Sequence, residues 1–143
     1  MSTLTLDLAR RIIDASLEKA RETGCQPLTV VVLDAGGHAI AMARQDGSGI
    51  LRAEIAGGKA YGALGFGLGS RELREKNPQF LAAVAAASGG RMVPAPGGVL
   101  VRDPRSGDVI GAVGISGDTA DKDEACAAAG IAAVGLAAET GAK

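Results

Sequence analysis

Tryptophan is absent from this 143-residue chain, and the only aromatics are one tyrosine and two phenylalanines. Proteins that bind nucleic acid stack bases on aromatic rings and concentrate positive charge. Here 15 Lys and Arg face 16 Asp and Glu, for a net charge of −1. No basic patch stands out, so nucleic acid is not an expected partner. Long apolar runs are also missing. No stretch approaches the roughly 20 residues of a membrane span. Leu4 to Ile13 is broken by Asp7, Arg10 and Arg11, which does not fit a signal peptide. The expectation is a cytoplasmic protein with no membrane partner. Histidine occurs once, as His38, and cysteine twice, as Cys25 and Cys126. HExxH and paired CxxC motifs are thereby excluded, and no metal site is expected. The two cysteines suit reduced thiols, with one disulfide as the alternative.

Glycine is abundant: 22 of 143 residues, well above the usual share of roughly 7%. It follows no Gly-X-Y period, so a collagen-like chain is excluded. Hydrophobic residues make up 47%, enough for one globular domain with an aliphatic, Ala-rich core.

Leu6, Ala9, Ile13, Leu17 and Ala20 recur at helical spacing, predicting a helix over 5–23. Thr3 or Thr5 is placed to cap it, and Gly24 to end it. The β-branched run 28–34, Ala35-Gly36-Gly37 and 38–44 predict a hairpin. A second helix is expected over 50–64, interrupted by three glycines, then a flexible connection over 65–70. Short helices are expected at 71–76 and 78–87. A second hairpin covers 98–103 and 108–115, around the turn Asp103-Pro104-Arg105-Ser106-Gly107. A last, mostly apolar helix is expected over 119–139, with Asp118 and Asp121 as a capping box. An apolar helix is covered on two sides, one of them by a second subunit if the chain assembles. The order α-β-β-α-α-β-β-α, built from hairpins, indicates an α+β fold with a mainly antiparallel sheet.

Several segments in this order resemble the HbpS/GlcG family of haem-binding-like domains. The same domain forms the C-terminal part of PduO-type corrinoid adenosyltransferases. The matching pieces are Leu4-Thr5-Leu6 with Ala9, Val32 to His38, Arg44-Gln45-Asp46-Gly47 and Gly58-Lys59-Ala60. Pro96-Gly97-Gly98-Val99 and Gly111 to Gly117 with Asp123-Glu124 complete the set. The resemblance implies a profilin-like antiparallel sheet of about five strands with helices on both faces, in a homo-oligomer. It also implies a small-molecule ligand, with haem or another tetrapyrrole among those the family takes. Ala95 and the alternation from Gly65 to Gly69 depart from the pattern.

The candidate residues carry alternative readings. His38 would be a haem axial ligand or a polar turn residue; Met42, Met92, Cys25, Cys126 and Tyr61 are other iron donors. Lys59 sits in an apolar, Gly-rich helix and needs an anionic partner if buried. It then acts in proton transfer, or snorkels to water. The match at this position favours function. Gly97 and Gly98 would offer N–H groups to an oxyanion, or make a bend entering a strand. Ser116 and Gly117 lead into a helix start, where N–H groups can face an anion. Asp123 or Glu124 would pair with Lys59 as a base, or offset the helix dipole. Arg44 and Asp46 would position a charged substrate, or form a salt bridge. Three functions follow: a small-ligand binder of the HbpS/GlcG type; a cofactor-independent enzyme using Lys59 with Asp123 or Glu124 on a small carboxylate or carbonyl compound; or a non-catalytic accessory subunit.

Overall fold

A computed structural model of the chain describes residues 3–142. Helix α1 (Leu6–Glu22) begins at Thr5, whose hydroxyl accepts the Leu8 N–H at 3.1 Å. It stops before Gly24, which adopts φ +67°. The first hairpin pairs β1 (Thr29–Asp34) with β2 (Ala39–Arg44). Helix α2 (Arg52–Phe66), a 3₁₀ turn (Ser70–Glu75) and α3 (Pro78–Ala87) follow. The second hairpin pairs β3 (Gly98–Arg102) with β4 (Val109–Ser116). Helix α4 (Ala120–Ala133) and a short β5 (Ala137–Glu139) complete the described chain.

The five strands form one antiparallel sheet in the order β2-β1-β4-β3-β5. This is the expected α+β architecture. Alternating side chains divide between the two faces. Val30, Val32, Val113 and Ile115 point toward α1 and α4, where Ile12, Leu28 and Ile131 close the larger core. Val31, Leu33, Leu100 and Ala112 point the other way, onto Ala56, Ala60 and Ala63 of α2. Both faces of β1, β3 and β4 are covered, which is why those strands read as unbroken apolar runs.

Helix α2 lies on the sheet almost backbone to backbone. A Cβ at Gly114 would overlap the Ala56 carbonyl oxygen, and one at Gly98 would overlap that of Lys59. Gly58 and Gly62 do the same toward Val93 and Met92. Gly58 and Gly62 therefore serve close packing, at a propensity cost of up to about 1 kcal/mol each, whereas a Cβ at Gly57 or Gly65 would meet nothing within 4 Å.

Three local expectations are corrected. The last helix ends at Ala133 because Gly135 takes φ +79° and turns the chain. Residues 137–139 become an edge strand instead, paired with β3 and tied by Arg102 Nε to Glu139 Oε1 at 2.7 Å. The cap of α4 is Thr119, whose hydroxyl accepts the Lys122 N–H. Asp118 instead accepts the Gln26 and Thr119 N–H groups, both at 2.7 Å. The 65–70 connection is packed: α2 runs to Phe66, and Gly69 is buried against the Thr140 carbonyl. Within its own chain, α4 packs against α1 and the sheet.

Candidate functional site

The α2–sheet contact brings Lys59 inside. Its Nζ donates to the Ile115 carbonyl at 2.8 Å and to Asp123 Oδ2 at 3.2 Å. The two side chains are 5% and 1% exposed. Asp123 Oδ1 accepts the Asp118 N–H at 2.9 Å. Burial pushes the Asp123 carboxyl up, opposed by the Asp118 N–H and the Lys59 charge. Burial likewise pulls the Lys59 ammonium down, opposed by Asp123. The pair survives because each charge has a partner and each carries a further hydrogen bond.

Gly97 completes this node from the strand entry. It adopts φ +121°, and a Cβ there would stand 2.9 Å from Lys59 Nζ. Its carbonyl accepts the Ile115 N–H at 3.0 Å. The Gly98 N–H donates to Ser70 Oγ at 2.8 Å, and Ser70 donates onward to the Ala95 carbonyl. A ligand oxyanion would have to displace that bond. Ser116 Oγ accepts from Arg52 at 3.1 Å, and the Gly117 N–H bonds Asp123. Lys59, Asp123, Gly97, Gly98, Ser116 and Gly117 thus meet at one end of the sheet.

Other candidates lie elsewhere. Both Glu124 oxygens accept from Arg71 Nε, at 3.0 and 2.9 Å, and Arg71 also reaches Asp121. These carboxylates hold the Arg71 proton more tightly than usual. Glu124 therefore faces the 3₁₀ turn and not Lys59, and Arg71 escaped the sequence reading altogether. Arg44 donates to the Ser48 carbonyl and, with Asp46, lines a cleft near Cys25. The His38 side chain is 82% exposed, with Nδ1 3.4 Å from Asp34 Oδ1. Its own backbone N–H is the main reason the Asp34 carboxyl sits below the usual range.

One opening lies beside α2, over the first hairpin. It has a volume of about 470 Å³, within the span of roughly 300–1,000 Å³ typical of small-molecule sites. Val31, Leu33, Ala39 and Met42 line it from the hairpin, Glu54 and Tyr61 from α2, and Arg91 from the loop after α3. The Arg91 guanidinium stacks 3.8 Å above the Tyr61 ring. Met42 is 56% exposed. Neither Lys59 nor Asp123 lines this groove, and His38 is outside it although its neighbours Gly37 and Ala39 are part of it. The groove draws on three separated segments, and of its lining residues only Tyr61 and Met42 were named as iron donors in the sequence.

This architecture is that of a known group of small α+β domains. The sequence pattern of the family described as haem-degrading protein HbpS-like matches residues 4–132, and the chain belongs to that family. It is 32% identical over 125 residues to an uncharacterized 15.0 kDa protein of the dhaT–dhaS intergenic region of Citrobacter freundii, covering 86% of each. It resembles the crystal structure of a PduOC–haem complex with TM-score 0.84 and 26% identity, over 94% of this chain and 97% of that one. The crystal structure of HbpS is similar at TM-score 0.78 and 27% identity, over 94% and 92%. No helix among the described residues is long and apolar enough to cross a membrane.

Proposed function

We propose that this chain binds a flat, amphipathic small molecule, haem or a related tetrapyrrole, in the groove beside α2. One observation carries the reading: an apolar wall, two side chains able to ligate iron and the Arg91 cation, with Glu54 of α2, share one opening of about 470 Å³. Val31, Leu33 and Ala39 would face the macrocycle. The Met42 thioether and the Tyr61 phenol are donors that iron accepts. Arg91 would meet a peripheral carboxylate, where charge-assisted bonds are strong. The family and the haem complex of a similar domain support this ligand class. Bound haem would supply a redox-active iron; the chain's part is to seat, orient and shield it.

In this reading Lys59 and Asp123 form an internal tie. Their burial leaves them no open approach for a substrate carbonyl, so proton transfer by the pair is not the favoured reaction.

Titration with haemin tests the proposal. A saturable Soret shift at one haem per chain is expected, unchanged in His38→Ala. Met42→Ala or Arg91→Ala should weaken binding roughly tenfold, equivalent to about 1.4 kcal/mol. An accessory subunit without a ligand would show no saturable shift. A shift lost in His38→Ala but kept in the groove variants would move the site to the turn.

A further inference from the structure

The two cysteines stand 101 residues apart in sequence, yet their sulfurs approach to 3.9 Å. Cys25 follows the glycine that ends α1, and its N–H donates to the Ala20 carbonyl at 3.0 Å. Cys126 is on α4, 1% exposed within the larger core. Neither is bonded to another cysteine. Their surroundings differ. Cys25 is half-buried and lines an open cleft of about 520 Å³ with Leu17, Arg21, Pro27 and Arg44. Cys126 has no such opening, and burial beside Cys25 pushes its thiol up to about 12. One sulfur is therefore reachable by a small oxidant, and the other waits behind it.

We propose that Cys25 and Cys126 are a modification site, oxidised by a hydroperoxide to an intramolecular disulfide. Cys25 Sγ attacks one peroxide oxygen, the O–O bond breaks, and water or an alcohol leaves. The sulfur loses two electrons and becomes a sulfenic acid. Cys126 Sγ then attacks Cys25 Sγ, and the sulfenic hydroxyl departs with the Cys126 proton as water. The S–S bond forms. In sum, two thiols are oxidised and one hydroperoxide is reduced. The sulfurs must close to about 2.05 Å. Cys25 lies outside any helix or strand, so the backbone on its side can follow. The new bond would staple the end of α1 to α4, one helical turn beyond Asp123.

The test uses the reduced full-length protein and hydrogen peroxide, followed by maleimide quenching and intact mass. The expected product is a monomer lacking two hydrogens and taking no maleimide, with one peptide pair joining Cys25 to Cys126. Its Tm should rise by roughly 5–15 °C over the reduced form, as a long-range crosslink would give, and dithiothreitol should reverse the rise. In Cys126→Ala, dimedone should label Cys25. Cys126→Ser serves the same purpose if alanine prevents folding. Peroxide-treated protein in which both thiols still take maleimide overturns the proposal. So does a disulfide between two chains, or dimedone labelling of Cys126 in Cys25→Ala.

Discussion

Removing the Lys59 ammonium in Lys59→Met isolates what the buried pair contributes. Methionine keeps most of the aliphatic stem, so the packing of α2 is largely preserved. Asp123, 1% exposed, keeps the Asp118 N–H but loses its cation. The Ile115 carbonyl loses its 2.8 Å donor. Breaking a buried pair from one side costs about 3–5 kcal/mol, and leaving a buried carbonyl unsatisfied costs about 1–3 kcal/mol. The two overlap, since the carboxyl can neutralise by taking a proton. A total near 3–5 kcal/mol is expected, against a typical domain stability of about 5–15 kcal/mol. That corresponds to a Tm lowered by roughly 10–20 °C. The chain has no tryptophan, so urea unfolding is best followed by far-UV circular dichroism. Asp123 is already pushed above its unfolded value of 3.8 by burial. Without Lys59 its neutral form is favoured further in the fold. The folded state then binds the proton more readily, so the deficit of Lys59→Met should shrink as pH falls from 7 toward 4. Adding Asp123→Leu removes the stranded carboxylate and should restore at least half of the loss. A single variant costing less than about 1 kcal/mol refutes the reasoning. So does a double variant as unstable as the two single losses summed.

At the α1–α4 crossing, a Cβ at Gly130 would stand 2.6 Å from the Ile12 carbonyl and overlap the Ser16 hydroxyl. Gly130→Ala should therefore cost about 1–3 kcal/mol by overpacking, read by the same urea titration. Ser16→Ala should be neutral or stabilising, since Ser16 Oγ is buried without a hydrogen-bond partner among the described residues. Asp118 is held below the usual carboxylate range, first by the Gln26 N–H and then by that of Thr119. Its contribution is complete above its unfolded value of 3.8 and is lost as pH falls through its lower folded value. Asp118→Asn should flatten the acid limb of the stability profile, and a limb of unchanged slope would contradict this.

Most elements were legible because their signals are local. The run Thr29 to Leu33 can be little else than a strand, and Thr5 and Gly24 bracket α1 as their chemistry requires. Strand β5 was not legible. Ala137-Ala138-Glu139 favours helix on propensity, and only its pairing with β3 makes it a strand. The Lys59–Asp123 pair was anticipated from the resemblance, because the fold carries Gly58-Lys59-Ala60 onto Gly97-Gly98. Glu124 could not be told from Asp123 by position in the helix start; what separates them is Arg71, an unremarked cation in a 3₁₀ turn. The groove stayed hidden for a similar reason. Arg91 gains meaning only when Tyr61, thirty residues earlier, lies beneath it.

The glycine contacts that seat α2 bear on how the groove could adapt. Carbonyls of the helix lie directly against bare glycines of β3 and β4, which leaves the helix little room to slide over the sheet. That wall is a fixed jaw. The loop that carries Arg91 is tied to the same jaw, since the Val93 N–H donates to the Gly58 carbonyl at 3.0 Å and Arg91 stacks on Tyr61, whereas the hairpin side carries Met42, a flexible, exposed side chain. A ligand's thickness would be gauged by the fixed jaw. Its outline would be accommodated by the Met42 side chain on the hairpin.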